Sequence, residues 1–287
     1  MKLLVLLIVL GLRQTGFGRD LFATAAGLMR RWRDGWQARG AREGWSGGVV
    51  LGFIVLPPAL LAMAAVAGIA SLGGAAESLA MGLLGLVVML VVLLDRAQPD
   101  ALGREQDAWL AADEIARDLI AEADPVALEA AAQAELARAR AGLVAEQLRE
   151  LFAPLFWFLL LGPVPAIAYY FLRLCAEAPA TAVSAPAARL LHYAEWPVAR
   201  VLALSFALAG DFVATWQHWR TAALDTSLAA VPLLEESARV AQPVDSRLPA
   251  DSLPGPMLVN ALAASGALLH RALVIWVVLL ALHTLWP

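Results

Sequence analysis

Long apolar runs alternate with charged segments along the chain, and these runs predict membrane-spanning helices. The first two runs cover residues 48–70 and 79–94 and carry no charged side chain. The first run has 23 residues and exceeds the roughly 20 apolar residues that cross a bilayer, and the second has 16 and approaches that number. The Pro57-Pro58 pair in the first run is compatible with a membrane helix, because neighbouring groups can satisfy the freed carbonyls. Gly48 and Gly52 lie one turn apart, a spacing that favours close approach of another helix. Together the two runs predict a membrane hairpin.

Three later segments set the number of crossings. Residues 151–174 form a third apolar run that proline and glycine interrupt, and residues 257–286 form a last run that His270 and Arg271 divide. The segment 196–216 lies between them. If it crosses, Arg271 falls on the cytoplasmic side, as the positive-inside rule prefers, and otherwise Arg271 falls outside. We expect four or five transmembrane helices and prefer five.

The N-terminal residues are predicted to stay on the cytoplasmic side. The first twelve are apolar but fall short of the roughly 20 needed to span, so we expect them at the interface or packed on other helices. Arginine beside a membrane segment is retained in the cytoplasm. The arginines that follow are Arg13, Arg19, Arg30, Arg31, Arg33, Arg39 and Arg42.

Residues 95–150 differ in kind, with thirteen acidic and six basic residues and no run long enough to span. Apolar residues recur at three and four from Trp109 to Ala123, which indicates an amphipathic helix. Asp124 before Pro125 is typical of a helix N-cap with proline at the first helical position. We predict a cytoplasmic helical hairpin. Such a hairpin is a candidate docking surface for a cytoplasmic protein, although a charged face is more often simply solvated.

Composition places the chain among membrane proteins. Hydrophobic residues make up 61% and charged residues 16%, whereas about a quarter of a soluble domain is charged. The predicted fold is therefore an all-α polytopic membrane protein in contact with the lipid bilayer. Its predicted parts are residues 1–47, the hairpin 48–94, the acidic segment 95–150, and a C-terminal membrane region 151–287 with a proline-rich linker near 242–256.

Common catalytic signatures are missing from the sequence. Lys2 is the only lysine and no phosphate-binding loop occurs, although arginine could bind phosphate instead. The four histidines lack metal-ligand spacing, and Cys175 is the only cysteine. No GxSxG nucleophile elbow occurs either. The sequence thus identifies no catalytic residue, and we predict no metal, no other cofactor and no nucleic-acid partner.

One polar stripe is the candidate ligand site. If residues 196–216 form one helix, Arg200 and Asp211 share a face, and Thr215 and His218 continue it. A charge in hydrocarbon is costly, so the pair lies either at opposite interfaces or around a polar cavity. The planar fork of arginine suits a small anionic ligand that carries carboxylate or phosphate.

Two segments carry a family resemblance. FAPLFWFLLLGPVPAIAYYFLRL, residues 152–174, and EWPVARVLALSFALAGDF, residues 195–212, resemble the AmpE proteins of the β-lactamase induction locus. The resemblance implies a multi-pass protein of the bacterial inner membrane with a sensory or regulatory role in β-lactamase induction, cell-wall stress signalling and antibiotic resistance. It would make a muropeptide a candidate for the anionic ligand.

A more distant resemblance gives the alternative function. The segment Ala153-Pro154-Leu155-Phe156 and the proline–arginine turn at Pro197 and Arg200 resemble the CobD/CbiB membrane enzymes of cobalamin assembly. That resemblance implies an amide synthase that acts on a corrinoid with Mg-ATP. The polar run expected before the first segment is replaced by Gln147-Leu148-Arg149-Glu150-Leu151-Phe152, which removes expected metal and phosphate ligands.

Overall fold

The computed structural model describes residues 2–15, 19–94, 106–112, 124–179, 181–242 and 254–285. All regular structure in these ranges is helical, which confirms the all-α prediction. Residues 106–112 form α5. The other helices are α1 (Lys2–Thr15), α2 (Arg19–Glu43), α3 (Gly47–Ala70), α4 (Gly74–Leu94), α6 (Pro125–Gln147), α7 (Ala153–Leu161), α8 (Pro163–Ala176), α9 (Ser184–Ala209), α10 (Phe212–Ala222), α11 (Ala230–Ala241) and α12 (Pro254–Leu285).

Three of these helices are long and apolar enough to cross a membrane: α3, α4, and α12 over Pro254–Leu282. The first two confirm the predicted hairpin segments as helices. Helix α12 continues without a break through His270 and Arg271, the two polar residues that divide its apolar sequence. Both of these side chains are exposed at the helix surface, where their polar groups need no break in the backbone. A total of four or five crossings stays a prediction.

The apolar run 151–174 does not form one helix. A π-helical turn at Leu148–Phe152 leads into α7, which ends at Leu161 and is followed by Gly162 with φ 91°. Residues that carry a Cβ rarely adopt a positive φ of this size, so the turn requires glycine. Pro163 then opens α8, where its missing N–H is harmless. The predicted interruption is confirmed, and it divides the run into helices of 9 and 14 residues.

The chain folds into two compact units that interleave in sequence. Unit 1 comprises Met1–Ala97, Leu148–Val198 and Thr284–Pro287. Within it, α3 packs on α8, α1 on α4, and α7 on α8. Unit 2 comprises Gln98–Gln147 and Ala199–His283. Within it, α11 packs against both α6 and α10.

The close approach in unit 1 lies one residue from where it was predicted. A Cβ on Gly47 would meet the carbonyl oxygen of Ala182 at 1.8 Å, whereas one on Gly48 would meet nothing within 4 Å. At Gly52 the nearest contact is Leu56 at 3.9 Å. The prediction of a close helix contact at Gly48 and Gly52 was therefore wrong. The backbone that comes close belongs to the loop before α9 and not to another helix.

A buried ion pair joins the helices of unit 2. Arg140 of α6 donates to Glu235 of α11 at 3.1 Å and to the hydroxyl of Ser265 in α12 at 3.3 Å. The Arg140 and Glu235 side chains are only 9% and 18% exposed. Unit 2 thus holds a charge pair beside a helix that is apolar enough to span.

The start of the second charged helix is confirmed. Helix α6 begins at Pro125, and the N–H of Val126 donates to the Asp124 carboxylate at 3.3 Å. The Asp124 carbonyl accepts the N–H of Leu128 at 2.9 Å. Residues 113–123, which make up most of the first predicted amphipathic helix, lie outside the described residues, as does the linker 243–253. The docking role of this hairpin stays a prediction.

Candidate functional site

The polar stripe predicted along residues 196–216 does not exist as one helical face. Helix α9 ends at Ala209 and α10 begins at Phe212. Asp211 is the N-cap of α10: its backbone is extended (φ −72°, ψ 101°) and its carboxylate accepts the N–H of Ala214 at 3.0 Å. The prediction of a continuous helix was wrong, because aspartate placed after glycine caps a new helix instead of continuing the old one.

This cap gives the first testable prediction. Asp211→Ala removes the acceptor for the Ala214 N–H and should lower the free energy of unfolding by about 1 kcal/mol. Asp211→Asn keeps an acceptor oxygen at the cap, so it should change the free energy of unfolding by only about 0.3 kcal/mol or less. Thermal unfolding in detergent, compared for the two variants, measures the difference. Equal losses in both variants would instead indicate that the negative charge is required.

Arg200 has a structural task within unit 2. The residue is 5% exposed, and its guanidinium donates to the backbone carbonyls of Asp225 and, at 3.2 Å, Leu228. Its own carbonyl accepts the indole N–H of Trp219 at 2.9 Å. Arg200 therefore fixes the loop between α10 and α11. In that loop the hydroxyl of Ser227 donates to the Asp225 carboxylate at 2.6 Å and lowers the pKa of Asp225.

Thr215 and His218 lie on the side of α10 that is turned toward the protein. Thr215 is 0% exposed, and neither its hydroxyl nor Nε2 of His218 has a hydrogen-bond partner among the described residues. Ser237 of α11, which the sequence analysis missed, shares these properties. Of the four predicted site residues, Thr215 and His218 therefore remain candidates for a polar contact with a ligand. Arg200 and Asp211 instead have backbone partners.

The register of α10 and α11 brings Thr215 and Ser237 to one level. The Asp211 N–H donates to the Ala241 carbonyl at 2.9 Å, so the start of α10 meets the end of α11. Thr215 lies about one turn after this contact and Ser237 about one turn before it. A Cβ on Gly210 would meet the Ala241 oxygen at 2.3 Å, which explains glycine there.

Unit 1 holds a second cluster of polar groups, which the sequence analysis did not predict. Glu195 of α9 accepts a hydrogen bond from Arg149 at 2.8 Å and one from the Tyr169 hydroxyl at 3.3 Å. The Glu195 side chain is 5% exposed and that of Arg149 34%. Burial is the largest single influence and disfavours the charge on Arg149, but the hydrogen bond with Glu195 and the negative charge of Glu195 together outweigh it, so the pKa of Arg149 is raised. Arg173 donates to the Arg149 carbonyl at 3.2 Å.

An apolar cavity of about 380 Å³ lies beside this cluster in unit 1. Helix α3, which is long and apolar enough to cross a membrane, forms one wall, and α7, α8 and α9 form the others. Tyr169 belongs to both features, since its side chain lines the cavity and its hydroxyl donates to Glu195. The lining includes Leu51, Val55, Trp157, Ala168, Tyr169 and Leu190.

Trp157, one of the residues that line this cavity, carries an unusual polar group. Its indole Nε1 is buried and has no acceptor among the residues that the structure describes. An indole N–H is a donor only, and a buried donor without an acceptor loses free energy. Trp157 and Glu195 both lie within the segments that carry the AmpE resemblance, but their apolar neighbours gave no sign of these contacts.

No family model, no curated protein and no solved structure matches this chain. The AmpE and CobD/CbiB resemblances therefore stay predictions. Within the described ranges, no group of three or more histidine, cysteine, aspartate and glutamate residues is arranged to hold a metal ion. The argument for a function rests on the cavity and the polar cluster beside it.

Proposed function

We propose that this protein is a membrane-embedded regulatory protein that binds an amphipathic, lipid-like ligand in the cavity of unit 1. The observation that carries the proposal is the apolar cavity beside α3, a candidate membrane span, together with the buried indole N–H of Trp157, a residue that lines this cavity. The cavity takes the hydrocarbon part of the ligand. The Trp157 N–H takes one acceptor oxygen.

The cavity's size and lining support this ligand class. Its volume of about 380 Å³ lies within the range of about 300–1,000 Å³ typical of small-molecule sites. Aliphatic and aromatic side chains favour hydrocarbon, and the single donor favours an ester, carboxylate or phosphate oxygen next to that hydrocarbon. Because α3 is a membrane-spanning candidate, the bilayer itself is a source of such molecules.

Tyr169 connects occupancy of the cavity to the charged cluster. A ligand that displaces its ring changes the geometry of the hydroxyl that donates to Glu195. Glu195 in turn holds Arg149 in the π-helical turn that follows the charged segment 95–147. Single π-helical turns occur frequently at functional sites. Binding in the cavity is thus linked to the conformation of this turn, which is the regulatory step of the proposal.

The resemblance to AmpE proteins supports the regulatory part of the proposal and an inner-membrane location with a cytoplasmic N-terminus. A muropeptide-type anionic ligand at Arg200 and Asp211 has less support, since both side chains have backbone partners. A link to β-lactamase induction is part of the same proposal. No specific observation favours the amide synthase, which stays the alternative from the sequence.

Trp157→Phe tests the proposal. The substitution keeps the ring in the cavity but removes the N–H, so the affinity for the fluorescent fatty acid cis-parinaric acid should fall about fivefold to tenfold, as expected for one lost hydrogen bond. Fluorescence titration of the purified protein in detergent measures the affinity. Trp36→Phe is the matched control, because Trp36 stacks on Phe53 and does not line the cavity.

A second variant tests the cavity without the hydrogen bond. Ala168→Phe adds a ring to the lining and should abolish saturable binding of the probe, with the melting temperature confirming that the protein still folds. Binding that survives both Trp157→Phe and Ala168→Phe unchanged would place the fatty acid elsewhere on the protein and contradict the proposal.

A further inference from the structure

Helix α10 exposes an aromatic and aliphatic face that no described residue of unit 2 covers. Phe212, Val213 and Trp216 are 48%, 64% and 38% exposed. At about 100° per residue, these three side chains fall within about 100° of the helix circumference. The rings of Phe212 and Trp216 stack at 6.0 Å with an interplanar angle of 9°. The opposite face is buried at Thr215 and Ala222.

The length of α10 excludes a crossing by this helix alone. Its 11 residues extend about 16 Å, whereas the hydrocarbon core of a bilayer is about 30 Å thick. The N-cap at Asp211 ends any continuity with α9, so the two helices do not add their lengths along one axis. An apolar face on so short a helix is suited to the membrane surface.

The charges of α10 match that surface. The helix contains no acidic residue, and Arg220 in its last turn is exposed on the same side as Phe212 and Trp216. A long arginine side chain can lie along apolar surface and hold its guanidinium at the level of the phosphates. Tryptophan is enriched at the boundary between headgroups and acyl chains. Anionic phosphate groups therefore complement this face better than an apolar protein surface would.

Unit 2 also contains a candidate membrane span. Helix α12 belongs to this unit and is long and apolar enough to cross a membrane. We propose that α10 lies in the plane of the membrane, with Phe212, Val213 and Trp216 inserted into the boundary between lipid headgroups and acyl chains. This surface site is separate from the cavity of unit 1, and it stands whether or not that cavity binds a ligand.

Single-cysteine labelling tests this orientation. Cys175 is 0% exposed and is the only cysteine, so a Cys175→Ala background allows one labelled position at a time. Val213→Cys and the control Thr221→Cys each carry an environment-sensitive fluorophore. Thr221 is also exposed but lies about 80° around the helix from Val213. The proteins are reconstituted into phosphatidylethanolamine–phosphatidylglycerol vesicles that contain a nitroxide lipid.

The expected result is blue-shifted emission at position 213, strong quenching by a nitroxide near the headgroup, weaker quenching by a nitroxide near the chain end, and little quenching by iodide. Position 221 should show the reverse response to iodide. Strong iodide quenching at both positions would overturn the proposal, as would protection from iodide at 213 without quenching by either nitroxide, because a protein surface would then cover the face. Stronger quenching at 213 by the nitroxide near the chain end would also overturn it, because it would indicate a deeply inserted helix.

Discussion

Glu195→Ala is expected to lower the free energy of unfolding by about 3 kcal/mol, near the lower end for breaking a buried ion pair. The lower end applies because the Arg149 side chain is 34% exposed and regains some solvation from water. Glu195 also accepts the Tyr169 hydroxyl, so the variant leaves a second polar group at 3% exposure without its acceptor. Denaturation in mixed micelles, with increasing dodecyl sulfate, measures the loss.

Two further variants measure separately how much of this loss comes from the charge of Glu195 and how much from the burial of its ion pair. Glu195→Gln keeps an acceptor oxygen for both donors and removes only the charge, so it should lose less stability than Glu195→Ala. Glu135→Ala is the exposed control: Glu135 pairs with Arg138 at 2.7 Å, but the two side chains are 36% and 74% exposed. Such surface pairs contribute about 0.5 kcal/mol or less within a helix. If Glu195→Ala costs no more than Glu135→Ala, the buried pair does not stabilise unit 1.

Gly47→Ala is expected to destabilise the protein by about 3 kcal/mol, the upper part of the range for overpacking. The added Cβ would lie 1.8 Å from the Ala182 carbonyl oxygen and 2.6 Å from its carbonyl carbon. Both are backbone atoms, so no side-chain rotation can relieve the clash. The start of α3 or the loop before α9 must move instead. The same micelle denaturation measures the effect.

The adjacent glycine provides the control. A Cβ on Gly48 meets nothing within 4 Å. Alanine is favoured over glycine inside helices by about 0.5–1 kcal/mol, so Gly48→Ala should leave stability unchanged or raise it by up to that amount. Opposite outcomes at neighbouring positions would exclude a general effect of replacing glycine. A loss at Gly48 as large as that at Gly47 would contradict the close contact with Ala182.

Local sequence patterns were sufficient to predict the apolar helices. The runs 48–70 and 79–94 are uncharged, and hydropathy is enough to indicate helices when the backbone must satisfy its own hydrogen bonds in lipid. The start of α6 was predictable for a similar reason, because Asp124 and Pro125 act within their own helical turn. In each case, the information lies in neighbouring residues.

The candidate site was not predictable in this way. Arg149 and Glu195 are separated by 46 residues, and nothing along the chain indicates that they meet. The break at Asp211 was missed because apolar residues precede and follow it, and hydropathy does not distinguish a capping aspartate from a charge on a helix face. The Ala241 carbonyl of α11 accepts the Asp211 N–H and leaves no room for a Cβ at Gly210, and neither contact can be predicted before α11 is in place.

The contacts of Arg200 and Arg173 have a consequence for acidic surroundings. Both guanidiniums donate to backbone carbonyls, those of Asp225 and Leu228 in one case and that of Arg149 in the other. A peptide oxygen has no proton to gain as the pH falls through the range in which carboxylates titrate. These two arginine contacts therefore persist under acidic conditions, in which a carboxylate partner would lose its charge. Each of the two units thus contains an arginine contact that acidification does not remove.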